Sequence, residues 1–244
     1  MMITIQIPGS ILVPNLQGYQ KDIYMEMEKS YEQFEYLTTK ELRFELLLRE
    51  NIIKAAIDLN ESGAVFTSFQ YSNFNPAYWS KGRNGYLLRP DVLPTEAIQD
   101  IFINGKLYGF ECSTAMVIVF YKAVLDSIRH SAFNYLFNNL LVWNWNYDPD
   151  LQIITRRGEA YVPGDVIYFS NPDYKEPIWI GANAVVLGRN QYYAHGIGIK
   201  TAKEMIAALN SLRKEGATRS AYVLKQHSRL NVRYLFQYSN LTRD

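Results

Sequence analysis

Residues 116–125, MVIVFYKAVL, constrain the fold more than any other stretch. Met116, Val117, Ile118, Val119, Phe120, Ala123, Val124 and Leu125 cover nearly every direction around a helix, so no face is left for solvent. Lys122 and Asp126 break the run well short of the ~20 apolar residues that span a bilayer. Such a helix belongs inside a core, with other elements packed around it. A chain of 244 residues can supply them,. No Pro/Gly/Ser linker, internal repeat or charged tail divides the sequence, so we read a single compact domain over residues 1–244.

The elements around that helix follow a segregated order. A short strand at Ile3–Ile7 precedes a helix over Lys21–Tyr36. Thr38 and Glu41 have capping-box spacing and open a second helix, whose Leu42, Leu46, Ile53 and Ile57 share a face until Gly63 stops it. Residues 66–93, punctuated by Pro76, Gly82, Asn84-Gly85 and Pro90, read as a long irregular loop. A short helix at Thr95–Ile103 comes next, then the core helix from about Glu111, then another helix near Ser131–Asn139. From Leu140 the runs LLVWNWNY, LQIITRR, DVIYFS, NAVVLG and QYYAHGIGI are short, β-branched or aromatic, and separated by turn residues. A capped helix starts at Thr201–Glu204 and runs toward Gly216. Helices, then strands, then a helix predict an α+β fold: a central antiparallel sheet flanked by helices, with the core helix buried.

Composition narrows the chemistry. A net charge of +1 argues against holding nucleic acid by bulk electrostatics,. The N-terminal MMITIQIPGS has neither a basic n-region nor a long apolar h-region, so it does not read as a signal peptide, and no membrane partner is expected. One cysteine allows no internal disulfide and no Cys-rich zinc site,. Three histidines without an HExxH motif argue against a metal enzyme,. Most of the 19 tyrosines read as core and rim packing,.

The sole cysteine lies at an informative seam. Cys112 is on the first turn of the core helix, where unpaired N–H groups and the positive end of the macrodipole favour a thiolate. The same N–H groups are donors for an oxyanion. In mid-helix the thiol would be inert. A nucleophilic cysteine needs a base within hydrogen-bond reach, and His195 in QYYAHGIGI is the candidate, on a strand with Gly196 and Gly198 leaving room beside it. His130 and His227 read as solvated or structural. Glu111, as a residue type, is a favourable first-turn charge.

A helix-borne cysteine followed by a strand-borne histidine resembles the papain-like layout of acyl-transfer enzymes. The turn and strand VPGDVIYFSNP between them also occur in the NlpC/P60 superfamily. Seven stretches together resemble a closer family, the small spore-coat transglutaminases of bacilli: FTSF (66–69), YGFECSTAMVIVFY (108–121), WNWNYD (143–148), GDVIYF (164–169), IWIGANAVVLG (178–188), YYAHGIGI (192–199) and LNSLRKEGATRSAYVL (209–224). The resemblance implies that Cys112 attacks a glutamine γ-carboxamide, releases ammonia and forms a thioester, which a lysine amine resolves to an isopeptide bond. It implies no calcium and no organic cofactor. Its protein substrates would be spore-coat proteins bearing reactive Gln and Lys, with polyamines as further acceptors. The protein would be made in the mother-cell cytoplasm and deposited on the spore coat.

One position departs from the family. Its acid/base glutamate, thirteen residues before the histidine, falls at Ala182, and alanine moves no proton. Glu111 matches the family's second glutamate and would serve as base if the backbone at the helix start brings its carboxylate to the sulfur. Three accounts of Ala182 stand: an engineered change, a natural low-activity paralogue, or a member that works through Glu111. The resemblance also places Trp145 and Trp179 along a narrow passage to Cys112; Phe66 and Phe69, from the loop before it, are further candidates to line that passage, and such walls would exclude water from the thioester. The competing readings are a catalytically weak coat scaffold and a cysteine amidase or peptidase of the same superfold.

Overall fold

The computed structural model describes residues 3–5 and 16–242. In chain order they form β1 (Ile3–Ile5), α1 (Gly18–Lys29), β2 (Phe34–Tyr36), α2 (Thr39–Glu61), β3 (Val65–Phe66), β4 (Trp79–Gly82), β5 (Gly85–Leu88), α3 (Pro94–Ile103), β6 (Gly109–Phe110), α4 (Cys112–Leu125), α5 (His130–Leu136) and β7 (Leu141–Val142). They continue with β8 (Ile153–Arg157), β9 (Val166–Ser170), β10 (Gly181–Gly188), β11 (Gln191–Ala194), β12 (Gly198–Thr201), α6 (Ala202–Ser211), β13 (Tyr222–Leu230) and α7 (Val232–Phe236).

The apolar run is the buried helix α4, in which every residue from Ser113 to Leu125 except Lys122 is buried. α2, α3 and β10 pack around it. The six-stranded sheet beside it has the order β12-β11-β10-β9-β13-β8 and is antiparallel throughout. Met205 and Leu209 of α6 close a second, smaller core with Phe169, Ala182, Ala184 and Ala194. The fold is therefore α+β, a central antiparallel sheet flanked by helices.

Caps set the helix starts. The Thr38 hydroxyl accepts the Glu41 N–H at 3.2 Å, but the Glu41 carboxylate takes the N–H of Leu37 at 2.7 Å, so the box closes one residue early. Thr201 and Glu204 form the full reciprocal box at α6,. Under the start of β9, the fully buried Asp165 accepts Arg49 at 2.8 Å and Arg229 at 3.1 and 2.6 Å. Burial alone would raise its pKa, yet the two guanidiniums hold it below the carboxylate range,. Arg49 also bonds Glu45 at 2.7 Å. This buried cluster ties α2, β9 and β13 together.

Several sequence expectations change. The helix expected over Lys21–Tyr36 ends at Lys29, because Phe34 and Tyr36 alternate with exposed Glu35 as β2, which pairs in parallel with β1,. Gln6 and Ile7 of the expected first strand lie outside the described residues. The long loop contains the hairpin β4–β5, turned at Arg83-Asn84. QYYAHGIGI is two strands, not one, with a turn at His195 where Gly196 has φ +93°. Of LLVWNWNY only Leu141–Val142 is strand, and the capped helix expected to run from Thr201 toward Gly216 stops at Ser211. β13 has no sequence counterpart above, since its mixture of exposed and half-buried residues carries no clean alternation,.

Candidate active site

β6 delivers the chain to α4 through Glu111, which is extended (φ −90°, ψ 177°) and caps the helix with its side chain. Its carboxylate accepts the N–H and Oγ of Ser113 at 2.5 and 2.6 Å, and the N–H and Oγ1 of Thr114 at 2.7 and 2.5 Å. The Ala115 N–H goes to the Glu111 carbonyl. Glu111 thus occupies most of the first-turn donors expected to face an oxyanion, and the Cys112 N–H is the one it leaves. Thr114 Oγ1 also accepts the N–H of Asn144 at 2.8 Å, and Tyr121 Oη accepts that of Asp148 at 2.7 Å. Helix α4 therefore anchors both ends of the loop that carries Trp145.

The side chain that reaches the cysteine is one the sequence reading does not single out. Asn183 of β10 donates its amide to Cys112 Sγ at 3.5 Å. β10 pairs with β11 only from Val185 onward, so near Asn183 the strand edge is open to the sulfur. Burial pushes the thiol's pKa up and the Glu111 charge adds to this; the backbone N–H and amide of Asn183, and the N–H of Cys112 itself, pull it down,. Tyr168 lies opposite Asn183 in the β9–β10 ladder, close enough that the sulfur adds to the burial-driven rise of its phenol. Its ring crosses Gly181, where a Cβ would stand 2.3 Å from the hydroxyl. Strand parity puts Tyr168 on the face of Val166, a signal the sequence did contain; nothing in the residue type marks Asn183.

Cys112 opens onto a cavity of about 740 Å³. Of the four aromatic residues expected along the passage, Trp145 and Phe69 line this cavity, and Phe69 packs tilted against Trp143 with centroids 4.8 Å apart. Phe66 and Trp179 pack against each other, tilted, with centroids 4.8 Å apart, and Phe66 meets the His195 ring instead. Phe66 lines a smaller cavity of about 220 Å³ that it shares with His195. The positive φ of Gly196 leaves room for the Phe66 ring, whose nearest atom would be 2.5 Å from a Cβ there.

His195 is buried between the rings of Phe66 and Phe110, its Nδ1 3.2 Å from Tyr193 Oη and its Nε2 without a hydrogen-bond partner among the described residues. Burial pulls its pKa down to about 4, with the Val65 and Phe110 backbones opposing. The structure thus brings Cys112 to Asn183, turns the neighbouring Glu111 carboxylate onto Ser113 and Thr114, and gives the thiol no hydrogen bond to His195. Ala182 is 2% exposed and packs in the apolar cluster with Phe169 and Ala194, one residue before Asn183. This centre offers a thiol, an adjacent carboxylate, convergent N–H donors and an apolar chamber, which are the parts of acyl transfer through a thioester.

Comparison with known proteins points the same way. The family profile described as protein-glutamine gamma-glutamyltransferase matches residues 4–239. A protein-glutamine gamma-glutamyltransferase of Bacillus pumilus (strain SAFR-032) is 46% identical over 225 residues, covering 91% of each chain. One from Bacillus cereus (strain B4264) is 44% identical over 224 residues, 91% of this chain and 81% of that one. The solved transglutaminase of Geobacillus stearothermophilus, without its C-terminal extension, superposes with a TM-score of 0.80 at 50% identity, covering 83% of this chain and 99% of that chain.

Proposed function

This chain belongs to the protein-glutamine γ-glutamyltransferase family, and from that premise we propose that Cys112 is its nucleophile and Glu111 the base that serves it. The enzyme is a transglutaminase, an acyltransferase whose protein substrates carry the reactive Gln and Lys. The observation that carries the residue assignment is the seam itself: Cys112 begins the buried helix, faces the large cavity and follows directly on Glu111, whose charge acts on the thiol.

In this reading the thiol proton passes to Glu111 as the Ser113 hydroxyl turns away from its carboxylate, and the thiolate forms the S–C bond to the γ-carboxamide. The proton then goes to the departing nitrogen, which leaves as ammonia. A lysine amine attacks the thioester, the N–C bond forms, the S–C bond breaks, and the amine's proton returns to the sulfur. His195, neutral near pH 7, packs with Phe66 and Trp179 beside the chamber, while Trp145 and Phe69 hold the aliphatic arms of the substrates and keep water from the thioester. Ala182 removes the second carboxylate and lowers the rate without abolishing it. Spore-coat proteins are the proposed substrates, polyamines further acceptors, and the spore coat the proposed location.

Incorporation of a labelled primary amine into a glutamine-bearing protein tests the assignment with three chains. The protein itself should be active, Cys112→Ala inactive, and Ala182→Glu faster by about 10- to 10³-fold, less than the full loss of one member of a coupled unit. If neither the protein nor Ala182→Glu incorporates any amine, the binding-scaffold reading replaces this one.

A further inference from the structure

The one side-chain hydrogen bond to the Cys112 sulfur among the described residues comes from Asn183, to which no role has been given above. Asn183 is 8% exposed, and its amide makes no other hydrogen bond among the described residues. A neutral thiol is a weak acceptor for a buried amide, which in such surroundings needs a good partner. The partner that satisfies it is a sulfur or oxygen carrying negative charge. A second donor converges on the same point. Glu111 engages the Ser113 and Thr114 N–H groups, so the N–H of Cys112 is left facing the sulfur. Three donors from two elements, the Cys112 N–H of α4 and the backbone N–H and side-chain amide of Asn183 on β10, thus flank the atom that attacks and the space where the adduct's oxygen forms.

We propose that Asn183 is a catalytic residue of the acyl transfer: its amide holds the Cys112 thiolate and then, together with the Cys112 N–H, binds the oxygen of the tetrahedral adduct. As the thiolate pair forms the S–C bond, the carbonyl π pair moves onto oxygen, where the two N–H groups receive it. On collapse the C=O bond reforms, and the C–N bond breaks with its pair staying on nitrogen. That nitrogen carries away the proton that left the thiol, and ammonia departs. The lysine half-reaction passes through the same pocket with sulfur as the leaving group. A carboxylate at this position would repel both charges, whereas an amide donates to each.

The test uses Asn183→Leu, of similar size without donors, and Asn183→Ala, each checked for an unchanged thermal melt. Cys112 alkylation by iodoacetamide is followed by intact mass across pH, and ammonia release from a glutamine donor is followed in parallel. The expected result is an alkylation midpoint raised by about one pH unit, with the high-pH rate within about threefold. In the same variants kcat falls about 10²–10³-fold while KM changes little. An alkylation profile that superimposes on that of the unaltered protein in a folded variant overturns the proposal. If the leucine variant does not fold, the alanine variant decides. The alkylation profile is readable even in a chain with no turnover, so failure here is distinguishable from failure of the Glu111 assignment.

Discussion

His195 sits where a proton on its ring is disfavoured. Buried between Phe66 and Phe110, with Nε2 unpartnered among the described residues, its pKa falls to about 4 from an ordinary 6.5. The unfolded chain therefore binds the proton between those values while the folded chain does not, and stability must fall as pH drops through that window. His227, pulled down chiefly by burial, acts with the same sign. We expect urea denaturation to show His195 contributing on the order of 3 kcal/mol to the loss of stability between pH 7 and 4, and His195→Phe to flatten that slope. An equally steep slope in the variant would mean that the buried ring is not the titrating group. The same neutrality bears on function. An uncharged imidazole provides no cation to form an ion pair with Cys112, and His195 makes no hydrogen bond to the sulfur.

The elements differ in how visibly the sequence encodes them. α4 is legible because an apolar run without a polar face has one physical solution, and the caps of α2 and α6 are legible because Thr and Glu at the right spacing satisfy local donors. Glu111 is half legible. Its place at the helix start is plain, but nothing local says that its carboxylate turns onto four donors of its own helix. Asp165 is the opposite case. Its Pro-Gly-Asp turn is ordinary in sequence, and its partners Arg49 and Arg229 lie 116 and 64 residues away. Asn183 is equally silent, because its contact with the sulfur depends on where β11 stops pairing. The buried cluster should nonetheless dominate how α2 meets the sheet. Arg49→Met leaves Glu45 without its guanidinium and Asp165 with Arg229 and the Val162 N–H, and should destabilise by about 3–5 kcal/mol in urea at unchanged m-value. Adding Asp165→Leu should recover part of that loss, since the pair is removed together. A loss below about 1 kcal/mol for Arg49→Met would show that these charges are solvated in a way their burial does not suggest.

At the scale of the molecule, the chamber at Cys112 is larger than its chemistry requires. Its walls come from distant parts of the chain: Phe69 after β3, Trp145 and Tyr147 after β7, Ile153 of β8, and Leu224 and Gln226 of β13. The last two enter where β13 parts from β9, between Val223 and His227, so a break in the sheet creates part of the wall. A cavity of about 740 Å³ lies in the range that encloses a ligand of several residues' bulk,, and one carboxamide arm fills only its end at the sulfur. Contacts with the residues beside the glutamine then supply binding that a small donor cannot use, and such remote binding raises kcat/KM. Leu224→Asp should therefore lower kcat/KM for a protein glutamine donor by about 10- to 100-fold, the equivalent of one buried leucine contact, while a blocked single glutamine reacts within about threefold of the original rate. If both donors fall alike, this arm shapes the reacting amide itself. If neither changes, the polypeptide lies elsewhere and only the sulfur end of the chamber is used.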